Sequence, residues 1–140
     1  MMAAAKAAAP PGTKVVGVTV LTSLDGDDLA ATGIAGSAAE QVKRLAGLAQ
    51  DAGIDGIVCS GEEVAAVRAA WPEGFLVVPG VRPPGADVAD QKRVVTPRQA
   101  LDLGASVLVI GRPITEASNP VRAIEEIAAS LAAPQQRMTA

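Results

Sequence analysis

A fourfold alternation of short β-branched runs with helical segments constrains the fold of this chain more than any other feature of its sequence. Four apolar runs predict strands, at residues 14–21, 56–59, 75–78 and 106–110. A loop and then a segment with an apolar stripe at helical spacing follow each of them. Nearly continuous apolar character is typical of parallel strands covered on both faces. The pattern predicts an α/β fold with all strands parallel, because a helical crossover joins each strand to the next.

Start signals mark the helices that follow this alternation. Ser37, Ser60 and Thr96 each stand three residues before a Glu or Gln, which is the capping-box pattern. Asn119 precedes Pro120 where the last helix should begin, and the first ten residues form an alanine-rich segment that also predicts a helix. The last helix is expected to turn a stripe of five apolar residues toward the sheet: Val121, Ile124, Ile127, Ala128 and Leu131.

Two architectures fit four parallel strands, a small open doubly wound sheet or about half of a (β/α)8 barrel. The 140 residues fall well short of the roughly 250 typical of a complete barrel. The loops at residues 22–36 and 79–95 are long and polar, and ligands in both architectures bind at the C-terminal ends of strands, where these loops lie. We expect one domain over residues 1–133 and a disordered tail at residues 134–140.

Composition narrows the chemistry that this chain can carry. It has no histidine, which excludes a Ser-His-Asp triad and any histidine-ligated metal site within the chain. Its single cysteine, Cys59, rules out an internal disulfide and is expected to be a buried core thiol. A net charge of −3 argues against nucleic acid or an anionic membrane as partner, and no apolar run approaches the ~18 residues of a membrane span. We expect a cytoplasmic protein that binds a small molecule.

Donors suited to an anion follow the third and fourth predicted strands. Gly111 lets the backbone approach an anion, Arg112 offers a bidentate fork, and the helix start at Asn119 adds positive potential. Arg82 and Gln91 supply further donors in the loop after the third strand. The spacing alone is equally consistent with a different structure, a tight turn in which Arg112 faces solvent.

The charged and hydroxyl residues near these donors can be interpreted either as ligand contacts or as ordinary loop residues. Lys92 and Arg93 are either further phosphate donors or part of a solvated basic loop. Thr22 and Ser23 end the first predicted strand, where hydroxyls can contact a polar ligand but more often cap a turn. The three aspartates that follow lack the spacing of a calcium loop and are expected to form a solvated turn: Asp25, Asp27 and Asp28.

Five ordered motifs, at residues 18–23, 56–60, 79–83, 90–94 and 111–115, resemble those of bacterial orotidine 5'-phosphate decarboxylases. The resemblance covers about residues 1–131 and is to the C-terminal half of that family. It implies a (β/α)8 TIM barrel, here about half of one with four parallel strands. It also implies a carboxy-lyase of pyrimidine biosynthesis that converts orotidine 5'-phosphate to UMP and CO2 without metal or cofactor, and that is a homodimer at full length.

The resemblance assigns roles to six residues of this chain. Phosphate binding falls to Gln91, Gly111 and Arg112, with Arg82 closing the phosphate side. Thr22 and Ser23 would meet the pyrimidine. One local departure is Val78, where the family usually has a threonine.

A larger departure concerns the reacting groups. The resemblance implies a Lys/Asp array built on an Asp-x-Lys-x-x-Asp-Ile motif, which is absent from this sequence. We therefore expect a decarboxylase fragment that begins at an internal methionine, holds the binding side and is inactive alone. The alternative is a non-catalytic half-barrel that binds phosphate or a nucleotide. Its open edge strands are expected to promote self-association.

Overall fold

The computed structural model describes residues 1–85 and 92–132, and within them it has four strands and seven helices. The elements are α1 (Met2–Ala8), β1 (Val16–Val18), α2 (Gly26–Ala31), α3 (Ala38–Asp51), β2 (Gly56–Val58), α4 (Val64–Ala70), β3 (Phe75–Val78), α5 (Pro97–Asp102), β4 (Val107–Leu108), α6 (Arg112–Thr115) and α7 (Pro120–Ala132). The strands lie within the four predicted runs, but only β3 has the predicted bounds, and the other three are shorter than predicted. None of these helices is long and apolar enough to cross a membrane. The predicted tail lies outside the described residues.

Strand order separates the two architectures that the sequence left open. The sheet runs β1-β2-β3-β4 with every neighbouring pair parallel. A doubly wound sheet reverses its strand order and so places helices on both faces. Consecutive order with right-handed crossovers places all helices on one face, and α3, α4 and α5 pack on the sheet in turn. The half-barrel prediction is confirmed, and the open doubly wound sheet is wrong.

The two faces of the sheet differ sharply in burial. Register aligns Gly17, Ile57 and Leu76 on the helix side, where Ile57 and Leu76 have no exposed surface. It aligns four valines on the opposite side, and we call these the inner row: Val18, Val58, Val77 and Val107. The ends of the inner row are 62% exposed at Val18 and 40% exposed at Val107. The expectation of cover on both faces is wrong for the described residues, because their helices lie on one side.

Two side-chain clusters fix the N-terminal ends of the strands. The Lys6 ammonium on α1 donates to both carboxylate oxygens of Asp55 at 2.7 Å, and this hydrogen bond is the main cause that lowers the pKa of Asp55. The Arg68 guanidinium on α4 donates to the carbonyls of Gly74 at 2.8 Å and Gly104 at 2.7 Å. These contacts hold the edge of the sheet that lies opposite the long polar loops.

The helix signals give a mixed outcome. Ser37 and Thr96 form the predicted capping boxes with Glu40 and Gln99. The capping box predicted at Ser60 is wrong, because its hydroxyl accepts from the Glu62 N–H at 3.1 Å and α4 begins only at Val64.

The apolar stripe predicted on the last helix is also largely wrong. Of its five residues only Ile127 is buried, while Val121 is 65% and Ile124 is 52% exposed. The physical reason is the packing partner of α7, which lies on α5 and α6 rather than on the sheet. An apolar stripe at helical spacing identifies a helix but not the element that will cover it.

Two glycine substitutions test the strand register. A Cβ at Gly56 would lie 1.9 Å from the Phe75 carbonyl oxygen in the β2–β3 pairing, so Gly56→Ala should destabilise the chain by at least about 2 kcal/mol. A Cβ at Gly47 on α3 meets no atom within 4 Å, so Gly47→Ala should stabilise it by about 0.5–1 kcal/mol. Urea unfolding followed by circular dichroism measures both. Equal stability of the two variants would contradict the register.

Candidate binding site

An open pocket of about 320 Å³ lies at the C-terminal ends of the strands. Its floor includes Val18 and Val58 of the inner row, with Val109 after β4. Five of the six predicted site residues line it: Thr22, Ser23, Arg82, Gly111 and Arg112. The sixth, Gln91, lies outside the described residues. Three loops that are distant in sequence therefore meet in one pocket, because parallel strands place their carboxyl ends at one edge of the sheet.

The hydroxyl wall of the pocket follows β1. Thr22 is 7% exposed, and its carbonyl accepts from the backbone N–H groups of Lys92 at 3.1 Å and Arg93 at 3.4 Å. The Leu24 N–H donates to the Leu21 carbonyl at 3.0 Å, which closes a turn around Thr22 and Ser23. The loop that carries the two hydroxyls is thus held by backbone contacts rather than left open to solvent.

The Arg82 wall follows β3. A parallel bridge joins Val81 to Val95, and the Arg82 N–H donates to the Val95 carbonyl at 2.9 Å. Arg82 as a whole is 7% exposed, and its guanidinium donates to the Val81 carbonyl at 3.0 Å. A charge this buried attracts an anion more strongly than a surface charge does, since less water screens it.

Val78, the departure from the family pattern, does not alter the pocket lining. Its side chain is fully buried, and its carbonyl accepts from the Val109 N–H at 2.9 Å as the strand pairing ends. Val78 is not among the residues that line the pocket, whereas Pro79 and Gly80 are. Val78 therefore belongs to the core beside the pocket rather than to its lining.

The second guanidinium wall follows β4. The Gly111 carbonyl accepts from the N–H groups of Ile114 at 2.8 Å and Thr115 at 3.1 Å, which starts α6 at Arg112. A Cβ at Gly111 would meet no atom within 4 Å, so space for a ligand remains beside its backbone. The predicted helix start at Asn119 is confirmed, since its side chain caps α7 by accepting from the Arg122 N–H at 3.1 Å, but α6 lies between Gly111 and Asn119 and Asn119 does not line the pocket.

The two residues of the basic pair that precedes α5 have different outcomes: Lys92 is exposed, in agreement with a solvated basic loop, whereas Arg93 fits neither interpretation. Arg93 is 6% exposed and forms an ion pair with Glu63, so it neither lies in a solvated loop nor lines the pocket. The Lys92 ammonium donates to Asp25 at 2.7 Å and to Asp28 at 2.8 Å. Both cations bind carboxylates of the protein itself.

The aspartates after β1 form a helix start rather than the predicted solvated turn. The Asp25 carboxylate accepts from the N–H groups of Asp27 at 3.0 Å and Asp28 at 3.1 Å, and Asp28 completes a capping box for α2. The hydrogen bond from Lys92 is the main cause that lowers the pKa of Asp25 to about 2. Within residues 1–85 and 92–132, no group of three or more acidic or cysteine side chains could hold a metal ion.

Cys59 lies in the core behind the pocket. Its side chain is 1% exposed, and burial raises the pKa of the thiol to about 12. A thiol with so high a pKa stays neutral at physiological pH and is a poor nucleophile. Its position agrees with the sequence-based expectation of a buried core thiol.

The charge distribution of the pocket defines the ligand that it fits. Two arginines line it, and no Asp or Glu of the described residues does. Valines form its floor and two hydroxyl residues form the opposite wall. Guanidinium groups bind phosphate or carboxylate through charge-assisted hydrogen bonds. The pocket therefore suits a molecule with an anionic group at one end and hydrogen-bonding polar groups at the other.

Comparisons with known proteins point to one family. The family model described as "Orotidine 5'-phosphate decarboxylase / HUMPS family" matches residues 1–127. Orotidine 5'-phosphate decarboxylases of Erythrobacter litoralis and Sphingopyxis alaskensis are 63% and 58% identical to this chain over 131 residues, which is 94% of this chain. The chain spans 58% of the length of each of these curated relatives.

The solved structures give the same result for the fold. The crystal structure of orotidine 5'-phosphate decarboxylase from Lactobacillus acidophilus matches with a TM-score of 0.76 and 36% identity. The match covers 95% of this chain and 58% of that one. An uncharacterised conserved protein from Geobacillus kaustophilus matches with a TM-score of 0.70 and 31% identity. The half-barrel described above thus corresponds to part of larger folded chains.

The acidity of Asp25 tests the contact between the two loops. Its pKa of about 2 lies below the ordinary 3.8, so the contact with Lys92 stabilises the fold above pH 4 and is lost as the pH falls through 2. Lys92→Ala should raise the pKa of Asp25 toward 3.8, with the N–H groups of Asp27 and Asp28 still lowering it, whereas Lys43→Ala on α3 should leave it unchanged. Carboxyl NMR titration measures it. A pKa that stays near 2 in Lys92→Ala would refute the contact.

Proposed function

This chain belongs to the orotidine 5'-phosphate decarboxylase / HUMPS family, and we propose that it supplies the phosphate- and pyrimidine-binding side of an orotidine 5'-phosphate decarboxylase. That activity removes CO2 from orotidine 5'-phosphate to give UMP in pyrimidine biosynthesis. The observation that carries the proposal is the meeting of two arginines with two hydroxyl residues in one pocket: Arg82, Arg112, Thr22 and Ser23.

The different residues at the two ends of the pocket would define the orientation of the bound ligand. The phosphate would lie between Arg82 and Arg112, beside the open backbone at Gly111, where charge-assisted hydrogen bonds reach its oxygens. Gln91 would add an amide donor from the loop after β3. The pyrimidine would lie toward Thr22 and Ser23, whose hydroxyls can donate to and accept from its polar edges.

The chemical step needs groups that this chain lacks. Loss of CO2 leaves an electron pair on a ring carbon, which a nearby ammonium must stabilise and then protonate. The resemblance implies that a Lys/Asp array supplies this ammonium, and its Asp-x-Lys-x-x-Asp motif is absent from the sequence. Lysine does not line the described pocket either. We infer that the chain binds the nucleotide and that its catalytic partner groups come from elsewhere.

The uncovered face of the sheet supports the proposal that those groups enter from that side. The inner row is exposed at both ends, and β1 and β4 are the edges of the described sheet. Further strands that paired with β1 and β4 would cover the inner row and close the pocket. We propose that such a completed barrel carries the activity, works as a homodimer in the cytoplasm, and uses neither metal nor cofactor. Its partner is the small-molecule substrate, with no role for nucleic acid or membrane.

Nucleotide binding tests this proposal. Arg112→Ala should weaken UMP binding by roughly 1.5–3 kcal/mol, because it removes a charge-assisted hydrogen bond to the phosphate. Arg122→Ala, which removes an exposed arginine paired with Glu126 on α7, should leave it unchanged. Calorimetry with UMP measures both affinities, and uridine, which lacks the phosphate, should bind far more weakly. Equal binding of uridine and UMP, or full affinity in Arg112→Ala, would overturn the proposal.

A further inference from the structure

A buried ion pair lies behind the pocket without lining it. Glu63 stands at the start of α4, after β2, and Arg93 lies between β3 and α5. Their side chains are 5% and 7% exposed. Removing two charges from water costs several kcal/mol per ion, so a buried ion pair often adds little net stability. A net gain in stability therefore does not by itself explain why these two charged side chains are buried.

The contacts of Arg93 converge on the end of β1. One guanidinium nitrogen, Nη1, pairs with Glu63 Oε1. The other, Nη2, donates to the carbonyls of Val20 at 3.2 Å and Leu21 at 2.9 Å. The backbone N–H of Arg93 donates to the next carbonyl, that of Thr22, at 3.4 Å. One residue thus holds three successive carbonyls at the point where the pocket wall begins.

Glu63 fixes the direction in which Arg93 points. Its Oε1 accepts from Arg93, while Glu63 Oε2 and Arg93 Nε have no hydrogen-bond partner among the described residues. The carboxylate therefore holds the guanidinium through one contact, and loss of its charge would leave the guanidinium held only by the Val20 and Leu21 carbonyls. Arg93 also stands two residues before Val95, which the Val81 bridge joins to the Arg82 wall.

We propose that Arg93 and Glu63 form a positioning pair that sets the distance between the hydroxyl wall at Thr22 and Ser23 and the arginine wall at Arg82. Neither residue touches the ligand in this proposal. The pair determines whether a ligand can reach both walls at once, as a nucleoside monophosphate must and inorganic phosphate need not. This inference rests on the proposed function for the identity of the ligand, but not for the contact between the loops.

Lys92 provides a matched comparison within the same segment. It also contacts the loop after β1, through Asp25 and Asp28, but its side chain is 47% exposed. Exposed ion pairs contribute little because water and salt screen them. Loss of the Lys92 side chain should therefore disturb the hydroxyl wall much less than loss of the buried pair.

Ligand selectivity tests the pair in the full chain. Glu63→Gln and Arg93→Met should each weaken UMP binding by roughly tenfold, as changes to groups that orient a binding residue commonly do. Binding of inorganic phosphate, which meets only the arginine wall, should stay the same. Lys92→Ala should preserve the ratio of the two affinities. Arg93→Lys, which keeps the charge but loses the fork, should give an intermediate ratio.

A stability control separates positioning from general loosening. Val67→Ala truncates a buried side chain on α4 and leaves both charged groups of the ion pair in place, so it should lower thermal stability with no change in the ratio of UMP to phosphate affinity. A ratio that changes equally in Val67→Ala, or that stays constant in Glu63→Gln and Arg93→Met, would overturn the proposal. Because Glu63→Gln keeps the size of the side chain, it serves as the test if Arg93→Met fails to fold.

Hydrogen exchange of the ligand-free chain distinguishes this inference from the proposed function. Glu63→Gln should speed exchange at residues 19–24 and leave the middle of α3 unchanged. Faster exchange in a chain whose wild type binds neither UMP nor phosphate would support the pair and refute the proposed function. Unchanged exchange at residues 19–24 would refute the pair, whatever the wild type binds.

Discussion

The consecutive parallel pairing of β1 to β4 is the constraint on which the rest of the structure depends. It places every strand end at one edge of the sheet, so the loops after β1, β3 and β4 meet there. It also lets α3, α4 and α5 pack on the sheet in turn, because consecutive parallel strands joined by crossovers of the usual right hand place their helices on one face. The site and the uncovered inner row are therefore two consequences of one topology.

The same topology also determines which part of the site the described strands supply. The described strands bring arginines and hydroxyls to the pocket, which suits the binding of an anionic nucleotide. They leave one side of it open, next to an apolar row that water contacts at Val18 and Val107. Binding energy and chemistry can be separated in this way because each strand of a barrel contributes its own loop to a shared mouth. In this account the chain contributes the binding side alone.

Local signals in the sequence were sufficient for much of the fold and part of the site. The bounds of β3 and the capping boxes at Ser37 and Thr96 depend on neighbouring residues and were predicted correctly. The Arg93–Glu63 pair could not be predicted, because the two residues lie far apart in sequence. A single arginine in a polar loop is normally expected to face solvent. An Asp-x-x-Asp spacing at Asp25 did signal the α2 cap, although it was interpreted as a turn. Val121 is exposed although it belongs to the predicted apolar stripe, because helical periodicity does not identify the element against which a helix packs.

The central claim is that this chain binds the nucleotide but lacks the groups that break the carbon–carbon bond. The most direct measurement is the release of CO2 from orotidine 5'-phosphate labelled at its carboxylate. The purified chain is incubated with this substrate at a concentration at which UMP would saturate the binding site. The account predicts no release above the rate of the buffer alone. Steady release of CO2 with formation of UMP, abolished by Arg112→Ala, would contradict it, because the described pocket offers no ammonium for the reacting carbon.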